Sequence, residues 1–310
     1  NGQADCTPTF FYRAPRLFET TLPVDVALVQ VTPPDENGIC SLGISVDYTL
    51  AAVKNAKLVI AQVNDQMPRT RGGSSVRVED IDLFVEHSVP ILELAPPKIG
   101  PVEEAIGNYC ASLINDGDTL QLGIGAIPDA VLSFLRHKKD LGIHSEMFSD
   151  GVVDLMERGV INNSRKTLHH GISVANFLMG TKRLFDFIDN NPQVEVYPVE
   201  HVNDPVVIAQ NDNMVCINSC VQVDLMGQVA SESIGLKQIS GVGGQVDFVR
   251  GAAMSKNGRS IMAMPSTVKG KASKIVPVLD EGSAVTTSRN DVDYVVTEYG
   301  LSLIHISEPT

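Results

Sequence analysis

The fold is decided by residues 119–137, which read TLQLGIGAIPDAVLSFLRH. The first four residues are typical of a buried strand, and the next ones form a glycine-rich turn. The turn leads into a run that predicts a helix over 128–137, with Pro128 suited to its first turn. A strand that passes through a short turn into a helix is the unit of α/β proteins with parallel sheets.

The same alternation of strand and helix patterns recurs on both sides of this unit. We predict strands at 24–30 and 57–63, a helix at 46–56 between them, and a helix at 102–114 before the strand at 119–122. Further strands are predicted at 194–199, 214–222, 261–264, 284–287 and 294–297. The pattern indicates an α/β fold with mainly parallel sheets.

A domain boundary is predicted where prolines and glycines crowd together at 95–101, because no periodic pattern crosses that segment. We therefore expect an N-terminal domain over 1–100 and a C-terminal domain over 101–310.

Composition excludes several function classes. The net charge of −13 argues against a nucleic-acid partner, because the phosphate backbone attracts basic surfaces. No apolar run approaches the roughly 18 residues that a membrane span needs. The five cysteines are odd in number and scattered, which favours reduced thiols and a cytoplasmic location.

The turn at 123–127 can bring backbone N–H groups and a helix N-terminus close to an anion. It does not have the GxGxxG pattern, because Ile127-Pro128 stands where the third glycine would come, so a dinucleotide site is disfavoured. A purely structural tight turn is the alternative reading.

The tripeptide His144-Ser145-Glu146 follows this turn and carries a carboxylate within a short apolar segment. Burying a charge is costly unless the charge is paired or used, so Glu146 is a candidate nucleophile for acyl transfer. A salt bridge at the rim of a site is the alternative. We interpret His144 as a strand residue that shares a face with Glu146, and Asp150 as the N-cap of a following helix.

A second glycine cluster, GVGGQVDF, occupies residues 241–248 and could direct backbone amides at a ligand or an oxyanion, or could be a plain loop. We expect no metal site. The methionines are better explained as core residues, and His169-His170 lacks ligand partners at metal spacing.

Seven segments, taken together, resemble the acetyl-CoA hydrolase/transferase family of CoA-transferases, also called CoA-transferase family I. The resemblance implies two similar open α/β domains with mainly parallel sheets and an active site between them. It also implies a truncated N-terminal domain and an incomplete C-terminal end. The segments are NDQ at 64–66, GIGAIP at 123–128, HSEM at 144–147, SDG at 149–151, FLMGT at 177–181, GGQVDF at 243–248 and TEYG at 297–300.

The resemblance further implies a role for each site residue, with coenzyme A (CoA) as co-substrate and no metal. The implied catalytic residues are Glu146, Gly243 and Gly244. The implied CoA-binding residues are Gly123, Ile124, Gly125, Ala126, Ile127 and Gly243.

The implied reaction moves CoA between an acyl-CoA and a short-chain carboxylic acid through a glutamyl-CoA thioester. 4-Hydroxybutyrate, butyrate, propionate and acetate are the candidate acids. An acyl-CoA hydrolase and a non-catalytic CoA-binding protein are the alternatives. The expected partners are an acyl-CoA, a carboxylate and a second copy of the chain in a homodimer, with neither nucleic acid nor membrane.

Overall fold

The structure is a computed structural model that describes residues 6–304. Within these residues two short 3-10 helices occupy Phe11–Arg13 and Val78–Asp80. The α-helices are α1 (Ala14–Thr20), α2 (Thr49–Asn55), α3 (Pro101–Ser112), α4 (Ala126–Phe134), α5 (Asp150–Glu157), α6 (Lys182–Ile188), α7 (Val199–Val202), α8 (Pro205–Ile208) and α9 (Gln245–Met254).

The strands of the same residues are mostly short. They are β1 (Val26–Val31), β2 (Ile39–Ser41), β3 (Leu58–Val63), β4 (Arg71–Gly72), β5 (Ser75–Arg77), β6 (Leu83–Glu86), β7 (Thr119–Leu122), β8 (Gly142–Ile143), β9 (Met147–Phe148), β10 (Ser173–Ala175), β11 (Phe177–Leu178), β12 (Val194–Val196), β13 (Met214–Asn218), β14 (Gln222–Asp224), β15 (Val229–Ala230), β16 (Ser233–Ile234), β17 (Lys237–Gln238), β18 (Arg259–Ala263), β19 (Thr267–Val268), β20 (Ala272–Ser273), β21 (Ile275–Val276), β22 (Tyr294–Thr297) and β23 (Gly300–Leu303).

The largest sheet has six strands in the order β23-β22-β18-β13-β7-β8. Its pairs are parallel except for the antiparallel β22–β23 edge. Strand β7 lies between β13 and β8, with Leu120 opposite Val215 on one side and Ile143 on the other. Every residue of β7 is buried, as expected for a parallel strand covered on both faces.

The two faces of this sheet belong to two separate hydrophobic clusters, because successive strand residues point in opposite directions. On β13, Val215 and Ile217 pack on the side of α3 and α4, whereas Met214 and Cys216 pack on the side of α8 and α9. The helices of one side contact each other closely, since a Cβ atom at Gly107 would lie 2.8 Å from Ala130. The fold is therefore a mixed α/β structure with mainly parallel sheets, as predicted.

The N-terminal part contains a smaller parallel sheet in the order β1-β3-β6. A third sheet has the strand order β10-β12-β4. It pairs β4, which belongs to the N-terminal part, with β12, which comes after β7 and β8 in the chain. Residues 87–100 contain neither helix nor strand, and α3 begins at Pro101. The predicted division of the chain at residue 100 remains a prediction.

Some predicted elements are wrong in detail. Residues 284–287 form no strand, because the Thr286 hydroxyl accepts from the backbone of Ser231 and only Thr287 makes an isolated bridge. The strand predicted over 214–222 ends at Asn218, and a separate strand begins at Gln222. Helix α4 starts at Ala126, before Pro128, because Gly125 closes the turn.

Two predictions from composition can be compared with the structure. All five cysteines are free thiols, and four of them are buried. Among residues 6–304, no helix combines the length and the apolar character needed to cross a membrane.

Candidate active site

The glycine turn and Glu146 leave the largest sheet side by side. The backbone of His144 donates to the Leu120 carbonyl at 3.1 Å. One residue further on, the Ser145 hydroxyl donates to the Leu122 carbonyl at 3.0 Å. Because the carboxyl ends of neighbouring parallel strands meet at one edge, the chain after β7 and the chain after β8 emerge together. The predicted CoA turn and the predicted nucleophile are thus brought to the same edge.

The turn presents open backbone. A Cβ atom placed on Gly123 or on Gly125 would meet nothing within 4 Å. Gly125 has φ 117° and ψ 180°, a backbone conformation that essentially only glycine adopts. The N-terminus of α4 therefore begins at an uncovered main chain, which is the geometry that anion binding requires.

A cavity of about 330 Å³ adjoins this turn. Ile124 and Gly125 line one part of it, and Asp129 and Asp150 line another. Glu146 is not among its lining residues, so the cavity flanks the turn rather than the carboxylate.

Asp150 is not the N-cap that we predicted, because α5 begins at this residue and Ser149 is the N-cap. Its carboxylate instead accepts from the backbone and the hydroxyl of Thr181.

The Glu146 carboxylate is partly buried and is bound by neutral donors. The Asn203 side-chain amide donates to Glu146 Oε2 at 2.7 Å, and the backbone N–H of Gly244 also hydrogen-bonds the carboxylate. Within residues 6–304 no basic side chain forms an ion pair with Glu146, so the salt-bridge alternative is wrong.

Burial raises the pKa of Glu146 to about 7, and the nearby charge of Asp47 adds to the shift. The hydrogen bonds from Asn203 and Gly244 oppose the shift but do not cancel it. At neutral pH the carboxylate is therefore present in both the charged and the neutral form, and its charged form has little solvation. Such a group is suited to nucleophilic attack or to proton transfer.

Gly244 touches this carboxylate so closely that no side chain fits. A Cβ atom at position 244 would lie 1.7 Å from Glu146 Oε2 and 2.3 Å from Asn203 Nδ2. Gly243 precedes it with φ 58°, in the left-handed region that favours glycine. Because Gly244 is the N-cap of α9, its N–H lies at the positive end of that helix. The second glycine cluster is therefore part of the site around Glu146.

Sequence reasoning missed three side chains around Glu146, which are Asn176, Asn203 and Asp247. Asn176 donates to Asn203 Oδ1 at 2.8 Å, so the two amides form a chain that ends on Glu146. Asp247 is buried in the first turn of α9, accepts from the backbone of Tyr12 at 3.1 Å, and lies close enough to Asn203 for that amide to favour its charged form. Burial raises the pKa of Asp247 to about 7. Of these three residues, only Asp247 lies in one of the seven segments that carry the family resemblance, GGQVDF at 243–248. Only Asp247 could therefore have been selected from the sequence.

His144 is not a base for this site. Its ring is fully buried against Phe248, and Nε2 donates to the Val202 carbonyl at 2.8 Å. Burial lowers the pKa of His144 to about 3, so the ring stays neutral. His144 thus has a structural role, because its ring fixes the Val202 carbonyl next to Asn203.

Comparisons with known proteins show which family this chain belongs to. Family models described as the acetyl-CoA hydrolase/transferase N-terminal and C-terminal domains match residues 1–94 and 180–309. The chain is 68% identical to 4-hydroxybutyrate coenzyme A transferase of Clostridium kluyveri over 304 residues, which cover 97% of this chain and 71% of that protein. The chain belongs to the acetyl-CoA hydrolase/transferase family. The resemblance stated from the sequence is confirmed.

Two further relatives are similar over nearly the whole of this chain. Succinyl-CoA:cyclohexane-1-carboxylate CoA transferase of Geobacter metallireducens is 51% identical, covering 97% of this chain and 69% of that protein. The crystal structure of 4-hydroxybutyrate CoA-transferase from Porphyromonas gingivalis superimposes with a TM-score of 0.87 and 49% identity, covering 97% of this chain and 73% of that one.

The raised pKa of Glu146 predicts a pH-dependent gain in stability for Glu146→Gln. The pKa of Glu146 in the folded protein lies above its ordinary value of 4.5, so the folded state binds the proton more tightly than the unfolded state does. This proton binding stabilises the folded wild-type protein at low pH, and the stabilisation is lost as pH rises towards 7. Glutamine stays neutral and avoids this loss. We expect Glu146→Gln to raise the free energy of unfolding by about 1–3 kcal/mol at pH 8 and by much less at pH 5.

Urea unfolding at the two pH values measures the difference, with the exposed Glu104→Gln as the matched control. An equal effect of Glu146→Gln at both pH values would show that the carboxylate is not held in the environment described above.

Proposed function

We propose that this chain is a CoA-transferase that moves CoA from an acyl-CoA to a short-chain carboxylic acid, with Glu146 as the nucleophile. The observation that carries the proposal is a partly buried carboxylate that two neutral donors bind and that no basic side chain among residues 6–304 pairs with. A carboxylate that is stabilised by a cation would be a weak nucleophile, whereas this one is poorly solvated and remains reactive. The names of the relatives, which are CoA transferases, support the same reaction.

In the first half of the proposed reaction, a Glu146 oxygen attacks the thioester carbonyl carbon of the acyl-CoA. The carbon–sulfur bond breaks, and a mixed anhydride and CoA thiolate are formed. The thiolate then attacks the side-chain carbonyl carbon of Glu146, which releases the first carboxylate and leaves a glutamyl-CoA thioester.

In the second half, the incoming carboxylate attacks the glutamyl-CoA carbonyl and releases the thiolate again. The thiolate attacks the acyl carbonyl of the new anhydride, which yields the new acyl-CoA and regenerates the Glu146 carboxylate. One thioester is consumed and one is formed, so the sequence needs neither ATP nor a metal.

The Gly244 N–H has a specific role in this scheme, because it hydrogen-bonds the Glu146 carboxylate in the structure. From this position it would stabilise the negative charge on the Glu146 carbonyl oxygen twice, when the thiolate attacks the anhydride in the first half and when the incoming carboxylate attacks glutamyl-CoA in the second half. An oxyanion donor of this kind contributes about 100- to 1000-fold to the rate. Gly243 contributes the left-handed backbone that aims the Gly244 amide. We assign the oxyanion function to these two residues.

The turn formed by Gly123, Ile124, Gly125, Ala126 and Ile127 is proposed to hold CoA. Its open main chain at the N-terminus of α4 supports this assignment, because N–H groups there can approach a polar or anionic part of the ligand. The turn and Glu146 leave the sheet side by side, so a CoA bound there would have its thioester within reach of the carboxylate.

The acid is proposed to be 4-hydroxybutyrate, which the names of two relatives give, or butyrate, with acetate as the other partner, which the resemblance from the sequence implies. We further propose that the chain acts in the cytoplasm as a homodimer. Hydrolysis uses the same glutamyl-CoA intermediate with water as the acceptor, so the test below records free CoA beside the transferred acyl group.

Replacing Glu146 tests the proposed function. We expect Glu146→Ala to lower transfer from butyryl-CoA to acetate by at least roughly 1000-fold, because no nucleophile remains. Glu146→Asp should lose roughly 100-fold, because the shorter side chain misplaces the oxygen by about 1 Å. The measurement is the initial rate of acetyl-CoA formation, with free CoA recorded in parallel and melting temperature as a check on folding.

Glu104→Ala, which removes an exposed carboxylate, is the control and should keep the wild-type rate. Glu146→Ala with more than a few per cent of wild-type transfer would remove Glu146 from the mechanism. Free CoA released without any transfer would identify a hydrolase.

Gly123→Ala tests the proposed CoA turn. The added methyl group enters open space and position 123 has an ordinary φ, so the folded protein loses nothing by it. We expect the melting temperature to stay the same and the affinity for CoA to fall about tenfold, because the methyl group stands where a ligand must approach the backbone. Titration calorimetry with CoA measures the change, and an unaltered Kd in the folded variant would leave the turn with a structural role only.

A further inference from the structure

We propose that Asn176 is a positioning residue that fixes the orientation of the Asn203 side chain and thereby keeps a hydrogen-bond donor on Glu146. The inference rests on the proposed function, since it assigns a task within the same site. Asn176 itself does not touch Glu146 with its side chain. Its amide nitrogen donates to Asn203 Oδ1 at 2.8 Å, and Asn203 in turn donates to Glu146 Oε2 at 2.7 Å.

The chemistry of the three groups sets the direction of this chain. An ionised carboxylate only accepts hydrogen bonds, so Asn203 must turn its NH₂ group towards Glu146. Its carbonyl oxygen Oδ1 then points away and needs a donor, which Asn176 supplies. If the Asn203 amide rotated by half a turn, oxygen would face oxygen at Glu146 and nitrogen would face nitrogen at Asn176.

The bond from Asn176 matters most during turnover. In the anhydride and the thioester, Glu146 no longer carries a charge, so its hold on the Asn203 NH₂ group weakens. Asp247, the other carboxyl group that interacts with Asn203, can take up a proton near neutral pH, because burial raises its pKa to about 7. The Asn176 bond does not depend on the charge of either carboxylate, so it keeps the donor in place through every state.

Asn176 is held rigidly enough for this task. It is fully buried, its backbone N–H donates to the Glu146 carbonyl at 3.2 Å, and its own carbonyl accepts from Val46 and Asp47 at 3.1 and 3.2 Å. The main chain of Asn176 is thus tied to the main chain of the nucleophile. The side chain of Asn176 therefore has a fixed position relative to Glu146, and its hydrogen bond holds the Asn203 amide in one orientation.

Asn203 is placed by its own backbone as well. Its N–H donates to the Val199 carbonyl at 2.9 Å, and the preceding carbonyl of Val202 accepts from His144. These bonds set where the Asn203 Cα lies but leave the amide free to rotate about its last bond. Only side-chain partners choose between the two orientations, and Asn176 is the neutral one among them.

The test uses Asn176→Ala and the volume-preserving Asn176→Leu, each alone and combined with Asn203→Ala. We expect either single replacement to lower kcat for butyryl-CoA to acetate transfer by about tenfold with little change in KM, because the transition state loses an oriented donor. The acid limb of the kcat/KM profile should move to higher pH, since a loosened donor stabilises the Glu146 anion less. In the Asn203→Ala background, replacing Asn176 should change neither quantity further.

Asn211→Ala is the matched control. Asn211 is equally buried, but its amide accepts from the backbone of Leu168 and has no bond to the chain that ends on Glu146. This variant should lose stability without moving the acid limb.

Four outcomes would overturn the inference while leaving the proposed function intact. The first is an acid limb that stays in place in both Asn176 variants, and the second is one that moves equally in Asn211→Ala. The third is that the effects of the Asn176 and Asn203 replacements add in the double variant. The fourth is that both Asn176 variants fail to fold while Asn211→Ala folds, which would make Asn176 a structural residue. Absence of any transfer by the wild-type chain would instead contradict the proposed function.

Discussion

The site depends on one constraint, which is a carboxylate that, among the residues the structure describes, is held in a partly buried position by neutral donors and pairs with no cation. Glu146 receives the Asn203 amide and the Gly244 N–H, and its pKa is raised to about 7 by burial. A lysine or arginine beside Glu146 would lower the free energy of the folded protein but would also make the proposed nucleophile less reactive. The charged form of Glu146 is therefore less stable here than in water, as is common at sites where a reactive group is required.

The α/β architecture makes this arrangement possible. Parallel strands β7 and β8 end side by side, which delivers an open glycine turn and a carboxylate to one edge of the sheet. Helix α9 then approaches from the other hydrophobic cluster and presents Gly244 at its N-terminus. Only glycine permits the contact, because a Cβ atom there would overlap the Glu146 oxygen. The position of the Glu146 carboxylate therefore requires glycine at position 244.

Local pattern was sufficient to predict the fold class and to select part of the candidate site, whose roles stay predictions. The strand, turn and helix over 119–137 and the isolated carboxylate of Glu146 are encoded in adjacent residues, so they can be read from the sequence. Asn176 and Asn203 could not be found this way, because their roles arise from contacts between distant segments and asparagine gives no periodic signal. Residues 284–287 have the local pattern of a strand, but the Thr286 hydroxyl accepts from the Ser231 backbone and only Thr287 forms a bridge, to Val229.

The central claim is that Glu146 forms a covalent thioester with CoA, and trapping that species tests it most directly. The protein would be incubated with butyryl-CoA, reduced with borohydride and digested for mass spectrometry. The account predicts that the peptide containing Glu146 carries an alcohol in place of its side-chain carboxyl group, and that no other peptide changes. An unmodified Glu146 in a protein that transfers CoA under the same conditions, or reduction at another carboxylate, would contradict the account.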